Sequence, residues 1–69
     1  MKVQYQRIRD LREDADLTQT KIAKQLNLAQ QTYSNYELGV SDIPTEILIR
    51  LAQFHETSTD YILGLTNER

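Results

Sequence analysis

Apolar residues at Tyr5, Ile8, Leu11 and Ala15 recur every three or four positions, and the polar run EDAD at 13–16 ends the series. That spacing predicts a first helix over about residues 3–14 with one face toward a core. Leu17 restarts the apolar pattern. Thr18 is of the type that caps helix N-termini, and Ile22, Ala23 and Leu26 form the inward face of a second helix over about 18–26, closed at the turn Asn27-Leu28. A third helix follows at about 29–38. Its 3.6-residue period puts Ala29, Tyr33, Tyr36 and Glu37 on one side and Gln30, Gln31, Ser34 and Asn35 on the other. Gly39 suits the left-handed stop of that helix. Pro44 fits the first turn of a fourth helix carrying Ile47, Leu48, Leu51, Ala52 and Phe54, the largest apolar surface in the chain and the expected core helix. Ser58 then caps a last short helix with Tyr61, Ile62 and Leu63, stopped by Gly64. Strand periodicity is weak throughout, so the expected fold is all-α, a compact bundle of five short helices.

Composition sets the scale of what such a bundle can do. The chain has 69 residues, 39% apolar and 26% charged, with two glycines, one proline and no cysteine. It reads as one domain over 1–69, with no repeat or linker to divide it. A chain of this size buries only about 60% of the surface its unfolded form exposes, so almost every apolar side chain is needed for one core. A surface ligand is expected rather than a deep pocket. The absence of cysteine removes disulfides, thiolate metal sites and thiol nucleophiles, and makes the cytoplasm the default compartment. No apolar run approaches the ~18 residues of a membrane span, and MKVQYQRIRD lacks the apolar stretch of a signal peptide.

The net charge of -2 argues at first against a nucleic-acid partner. Its distribution changes the picture. Lys2, Arg7, Arg9 and Arg12 stand against Asp10 in residues 1–12, a local +3, and Lys21 and Lys24 against Glu37 in residues 17–41, a local +1. The acids concentrate in EDAD and in residues 42–69.

Two short helices at 18–26 and 29–38, joined by a tight turn and flanked by apolar helices, form a helix-turn-helix. The outward face of the second is unusual. Exposed helix positions ordinarily carry Lys, Glu and Arg, yet Gln30, Gln31, Ser34 and Asn35 are uncharged groups that both donate and accept hydrogen bonds. Such amides can bond bidentately to adenine N6 and N7 in a major groove, and Ala29 can meet a thymine methyl. A merely polar surface is the plainer alternative. The place of this helix as second of the pair favours base reading.

The segments IRDLRED, LTQTKIAKQL, AQQTYSNYELG, IPTEILIRLAQF and TSTDYILGLT resemble, in order and spacing, the XRE family of helix-turn-helix domains, the phage repressor and Cro type. The resemblance covers nearly the whole chain and implies a lambda-repressor-like fold of about five helices. It implies a regulator that represses or activates transcription, a repressor being the first expectation, and that binds a pseudo-palindromic double-stranded DNA operator as a homodimer. It assigns base reading to Gln30, Gln31, Ser34 and Asn35, and phosphate contacts to Gln19 and Thr32; Thr18, Lys21 and Ser41 are added to the expected phosphate contacts as donors beside them. Gln19 sits where a helix start favours an anion. It also implies an internal ion pair between Arg12 and Glu37, in keeping with the inward position of Glu37, where an unpaired carboxylate is costly. The loop Val40, Ser41, Asp42, Ile43 lacks the basic residues some members place there, and Asp42 is expected to cap the helix opening at Pro44.

Other readings of the same residues are weaker. Tyr33 and Tyr36 could stack on bases, but their inward side makes them core residues. His55, Ser58 and Asp60 resemble a triad or half a metal site only superficially, since the chain has a single His and no second ligand at i+4. No cofactor, metal or small-molecule ligand is implied, and a catalytic cleft with clustered titratable groups is not legible. A dimer is expected through the last helix and the apolar tail at Tyr61, Leu63 and Leu65, with half-sites about 10 base pairs apart. Nothing after Arg69 reads as a sensing domain, so regulation by concentration or a partner is expected if the chain stands alone. The competing function is a protein-interaction module, such as an antitoxin or anti-regulator, built on the same bundle.

Overall fold

The computed structural model describes residues 5–68. Five helices follow in order: α1 (Gln6–Asp14), α2 (Gln19–Gln25), α3 (Gln30–Leu38), α4 (Thr45–Phe54) and α5 (Thr59–Leu63). Among the described residues there is no strand, and the chain forms the all-α five-helix bundle expected. The expected start of the first helix at residues 3 and 4 lies outside the described residues.

The caps follow from side-chain chemistry. Thr18 Oγ1 accepts from the Lys21 N–H at 3.2 Å and Ser58 Oγ from the Tyr61 N–H at 3.0 Å, each satisfying an N–H that the first turn leaves without a carbonyl. Pro44 stands one residue earlier than its sequence position suggests. It is the residue before the helix, with φ -58° and ψ 146°, and its carbonyl accepts the first helical bond from Leu48 at 2.9 Å. Asp42 does not cap α4, because no side chain bonds the start of that helix. Extended Pro44 already fills the cap position, and Asp42 lies two residues upstream, exposed.

All five helices stop in the same way. A residue in the left-handed region follows the last turn, and the next N–H reaches back five residues: Leu17 to Arg12, Leu28 to Ala23, Val40 to Asn35, Thr57 to Ala52 and Leu65 to Asp60, at 2.8–3.1 Å. Glycine takes the left-handed position after α3 and α5, with φ 75° and 80°. Asp16, Asn27 and Glu56 take it after α1, α2 and α4, with φ 61°, 60° and 54°. An L side chain pays roughly 1–2 kcal/mol there, against which glycine's greater unfolded freedom costs roughly 0.5–1 kcal/mol. Glu56→Gly is therefore expected to stabilise the domain by about 0.5–1 kcal/mol. A thermal melt with an unchanged or lower midpoint would show that no strain resides at this turn.

The core is built from Tyr5, Ile8, Leu11, Ile22, Ala23, Leu26, Tyr33, Tyr36, Ile43, Leu51, Ala52 and Ile62. α1 packs on α3 and α5, α2 on α3, and α4 on α5. The helix expected to dominate this core contributes less than its sequence suggests. In α4 only Leu51 and Ala52 are buried, Ile47 and Leu48 are partly so, and Ile49 and Phe54 are exposed. Ala15 also lies outside, as the residue capping the end of α1. Ile43, in the loop before α4, enters the core in their place. No helix among the described residues is long and apolar enough to cross a membrane.

Candidate nucleic-acid interface

The second helix of the pair is positioned by a partly buried polar cluster. Arg12, near the end of α1, donates from Nε to Glu37 Oε2 at 2.7 Å and from Nη2 to Glu37 Oε1 at 3.2 Å, a two-pronged contact matched to the carboxylate plane. Its Nη1 donates to the Leu17 carbonyl at 2.9 Å, fixing the turn ahead of α2. Gln19, first residue of α2, donates from Nε2 to Glu37 Oε1 at 3.1 Å. One carboxylate near the end of α3 thus gathers α1 and the start of α2, and Arg12 ties in the turn between them.

The Glu37 side chain is only 3% exposed and that of Arg12 14%. Burial acts to raise the Glu37 pKa, but the hydrogen bonds from Arg12 and Gln19, the neighbouring Tyr33 hydroxyl and the charge of Arg12 outweigh it and hold the carboxyl below its ordinary value. Arg12 is held above its ordinary value by the hydrogen bond to Glu37, against the opposing effect of burial. The Tyr33 phenol is raised, first by burial and then by the carboxylate. Its fully buried hydroxyl lies beside the pair, short of hydrogen-bond geometry among the described residues, and so faces the core and not a ligand. Tyr36 is likewise buried.

Opposite these residues, α3 presents its polar face. Gln30 and Gln31 are exposed, and Ser34 and Asn35 half-buried. Thr20 of α2 donates from Oγ1 to Gln30 Oε1 at 2.9 Å, and Gln31 donates from Nε2 to Asn35 Oδ1 at 2.9 Å, one turn along the same helix. Gln31 retains its Oε1 and a second N–H, the pair that a bidentate adenine contact uses. Around this face, Thr18 and Lys21 are exposed, while Thr32 and Ser41 are half-buried. Gln19 is half-buried and already engaged with Glu37. Periodicity within α2 could not show that engagement, because its partner lies 18 residues away on another helix.

The tail named for assembly is placed by Arg7. Its guanidinium lies 4.3 Å from the centre of the Tyr61 ring, donates from Nη1 to the Tyr61 carbonyl at 2.8 Å and to the Thr66 carbonyl, and from Nη2 to Asn67 Oδ1 at 2.7 Å. Tyr61 is thus half-buried against α1, while Leu63 and Leu65 are 41% and 74% exposed. His55 ends α4 with its ring edge-on to Phe54. Among the described residues no group of His, Asp and Glu is arranged to hold a metal ion.

A short helix, a tight turn and a second helix with an open hydrogen-bonding face define a helix-turn-helix domain. The family described as Helix-turn-helix matches residues 8–62, and the chain belongs to that family, of the XRE type. Two relatives come from Bacillus subtilis (strain 168). The uncharacterized HTH-type transcriptional regulator YobD is 38% identical over 63 residues, which cover 91% of this chain and 56% of the relative. The HTH-type transcriptional regulator ImmR is 38% identical over 58 residues, covering 84% of this chain and 46% of the relative. The chain therefore spans about half the length of these curated relatives.

Proposed function

We propose that this domain binds double-stranded DNA as part of a transcription regulator and reads an operator with α3. The observation that carries the reading is the outward face of α3, where Gln30, Gln31, Ser34 and Asn35 offer directional, uncharged donors and acceptors in place of the usual solvated charges. Membership of the helix-turn-helix family and the names of the two relatives support it. In this reading Thr18, Gln19, Lys21, Thr32 and Ser41 hold phosphates and carry no sequence information. Gln19 bonds Glu37 through one amide hydrogen and offers its second to a phosphate oxygen. One short helix covers too few base pairs for operator-level affinity, so a two-fold dimer on a pseudo-palindrome completes the site, with exposed Leu63 and Leu65 beside Tyr61 as the contact. Repression follows sterically, since a seated dimer occludes the DNA it covers.

The test compares variants on two DNAs, a site selected from a random pool and an unrelated sequence, by fluorescence anisotropy at two salt concentrations. Gln31→Ala is expected to cost about 1–3 kcal/mol on the selected site and much less on the other. Gln19→Ala is expected to weaken both by a similar factor. With Lys21 and Lys24 the cations of α2, the salt slope is expected to be shallower than that of a strongly basic repressor. Equal binding of both DNAs, with neither variant changing the ratio, would transfer the function to a protein partner.

A further inference from the structure

We propose that the groove between the C-terminal ends of α1 and α4 docks a segment of a partner protein that is both basic and apolar. The groove encloses about 410 Å³ and shares no lining residue with the polar face of α3. Leu11, Leu17 and Phe54 supply its apolar wall, and Asp14 and Glu56 its acidic edge. Leu17 is half-buried and Phe54 40% exposed, so water meets apolar surface here that a partner would cover.

The charge around the groove selects the occupant. α1 ends at Asp14 and α4 at Phe54, so two helices bring the negative ends of their dipoles to one place. Cations are favoured at such ends, yet the chain puts carboxylates there: Asp14 in the last turn of α1, Asp16 just beyond it and Glu56 just beyond α4. Asp16 and Glu56 are exposed, with no side-chain partner among the described residues. No lysine or arginine lines the groove, and Arg12, the basic residue in the last turn of α1, is engaged with Glu37. A field of this sign repels phosphate and draws in cations. An inorganic cation would leave the apolar wall unused. A lysine or arginine lays its apolar stem on Leu17 and Phe54 while its head reaches the carboxylates, and an apolar neighbour covers the rest of the wall.

The experiment selects binders of the full chain from a phage-displayed library of short random peptides. Enriched peptides are expected to combine Lys or Arg with Leu or an aromatic residue. The strongest is then synthesised and titrated into isotope-labelled protein, where its NMR shifts are expected at Leu17, Phe54 and Glu56 and not along α3. Affinity is expected to fall about two- to fivefold in Glu56→Gly and in Asp16→Asn, the scale of one exposed charge pair. Phe54→Ala is expected to weaken it about five- to thirtyfold, as truncating a central aromatic contact does. Ile49→Ala, which removes an exposed apolar side chain of α4 outside the groove, is expected to leave it unchanged. Added salt is expected to weaken the complex. Glu56→Gly separates docking from folding, because the same change is expected to stabilise the domain, so weaker binding there cannot come from unfolding.

Enriched peptides without a cation, shifts that fall outside the groove, equal affinities for wild type, Phe54→Ala and Glu56→Gly, or a library that yields no binder overturn the proposal. So do shifts at the groove residues on concentrating the chain alone, which would assign this face to a second copy of the chain. Each of these results leaves the reading of α3 untouched.

Discussion

Arg12→Ala is expected to lower the free energy of unfolding by about 3–5 kcal/mol, the usual cost of leaving one partner of a buried ion pair without the other. A 69-residue domain has roughly 3–10 kcal/mol in total, so the variant stands near the limit of folding at room temperature. The loss has three parts: the two bonds to Glu37, the bond to the Leu17 carbonyl, and a carboxylate left with Gln19 as its remaining donor. A denaturant midpoint equal to that of the wild type would make the pair superficial. The same pair gives a pH dependence of known sign. Because the folded Glu37 pKa lies below its ordinary value near 4.5, its contribution is fully present above that value and is lost as pH falls through the folded pKa. Stability is thus expected to decline on acidification below about pH 4.5, and to decline less in Glu37→Gln, which starts lower. Parallel acid profiles for the two proteins would remove Glu37 as the titrating group.

The second large effect is a contrast within α4. Leu51 is fully buried and Leu51→Ala is expected to cost about 2–5 kcal/mol through lost burial and the cavity left behind. Ile49, two residues away and 46% exposed, is expected to cost less than about 1 kcal/mol on the same truncation. Chemical denaturation of the two variants measures both. Similar losses would mean that Ile49 is covered, and that the outer face of α4 is not solvent-facing in solution.

That contrast marks where the sequence stops being legible. The five helices, the caps at Thr18 and Ser58 and the glycine stops at Gly39 and Gly64 all come from interactions spanning a few residues, and a local pattern records them. The two faces of α3 were legible for the same reason, because Tyr33 and Tyr36 are apolar at inward positions and the four polar groups share the other side. Ile49 and Phe54 misled because hydrophobicity shows what can be buried, whereas burial depends on which helix arrives opposite. Ile43 entered the core through a loop, where no periodicity exists to show it. The bonds from Gln19 to Glu37, Thr20 to Gln30 and Arg7 to the 61–67 segment join residues ten to sixty apart, and nothing local marks them. Asp16, Asn27 and Glu56 were hidden differently, since they take a conformation that composition associates with glycine.

The common helix ending has a consequence for how the chain finds this fold. Each reversal closes within six residues, from a carbonyl in the last turn to an N–H just beyond it. Short closures carry little loop entropy and form on the timescale of helix growth itself. The chain's changes of direction are therefore written one helix at a time, ahead of any distant contact. What remains for the folding barrier is the docking of segments whose ends are already defined, the regime in which topology favours rapid folding.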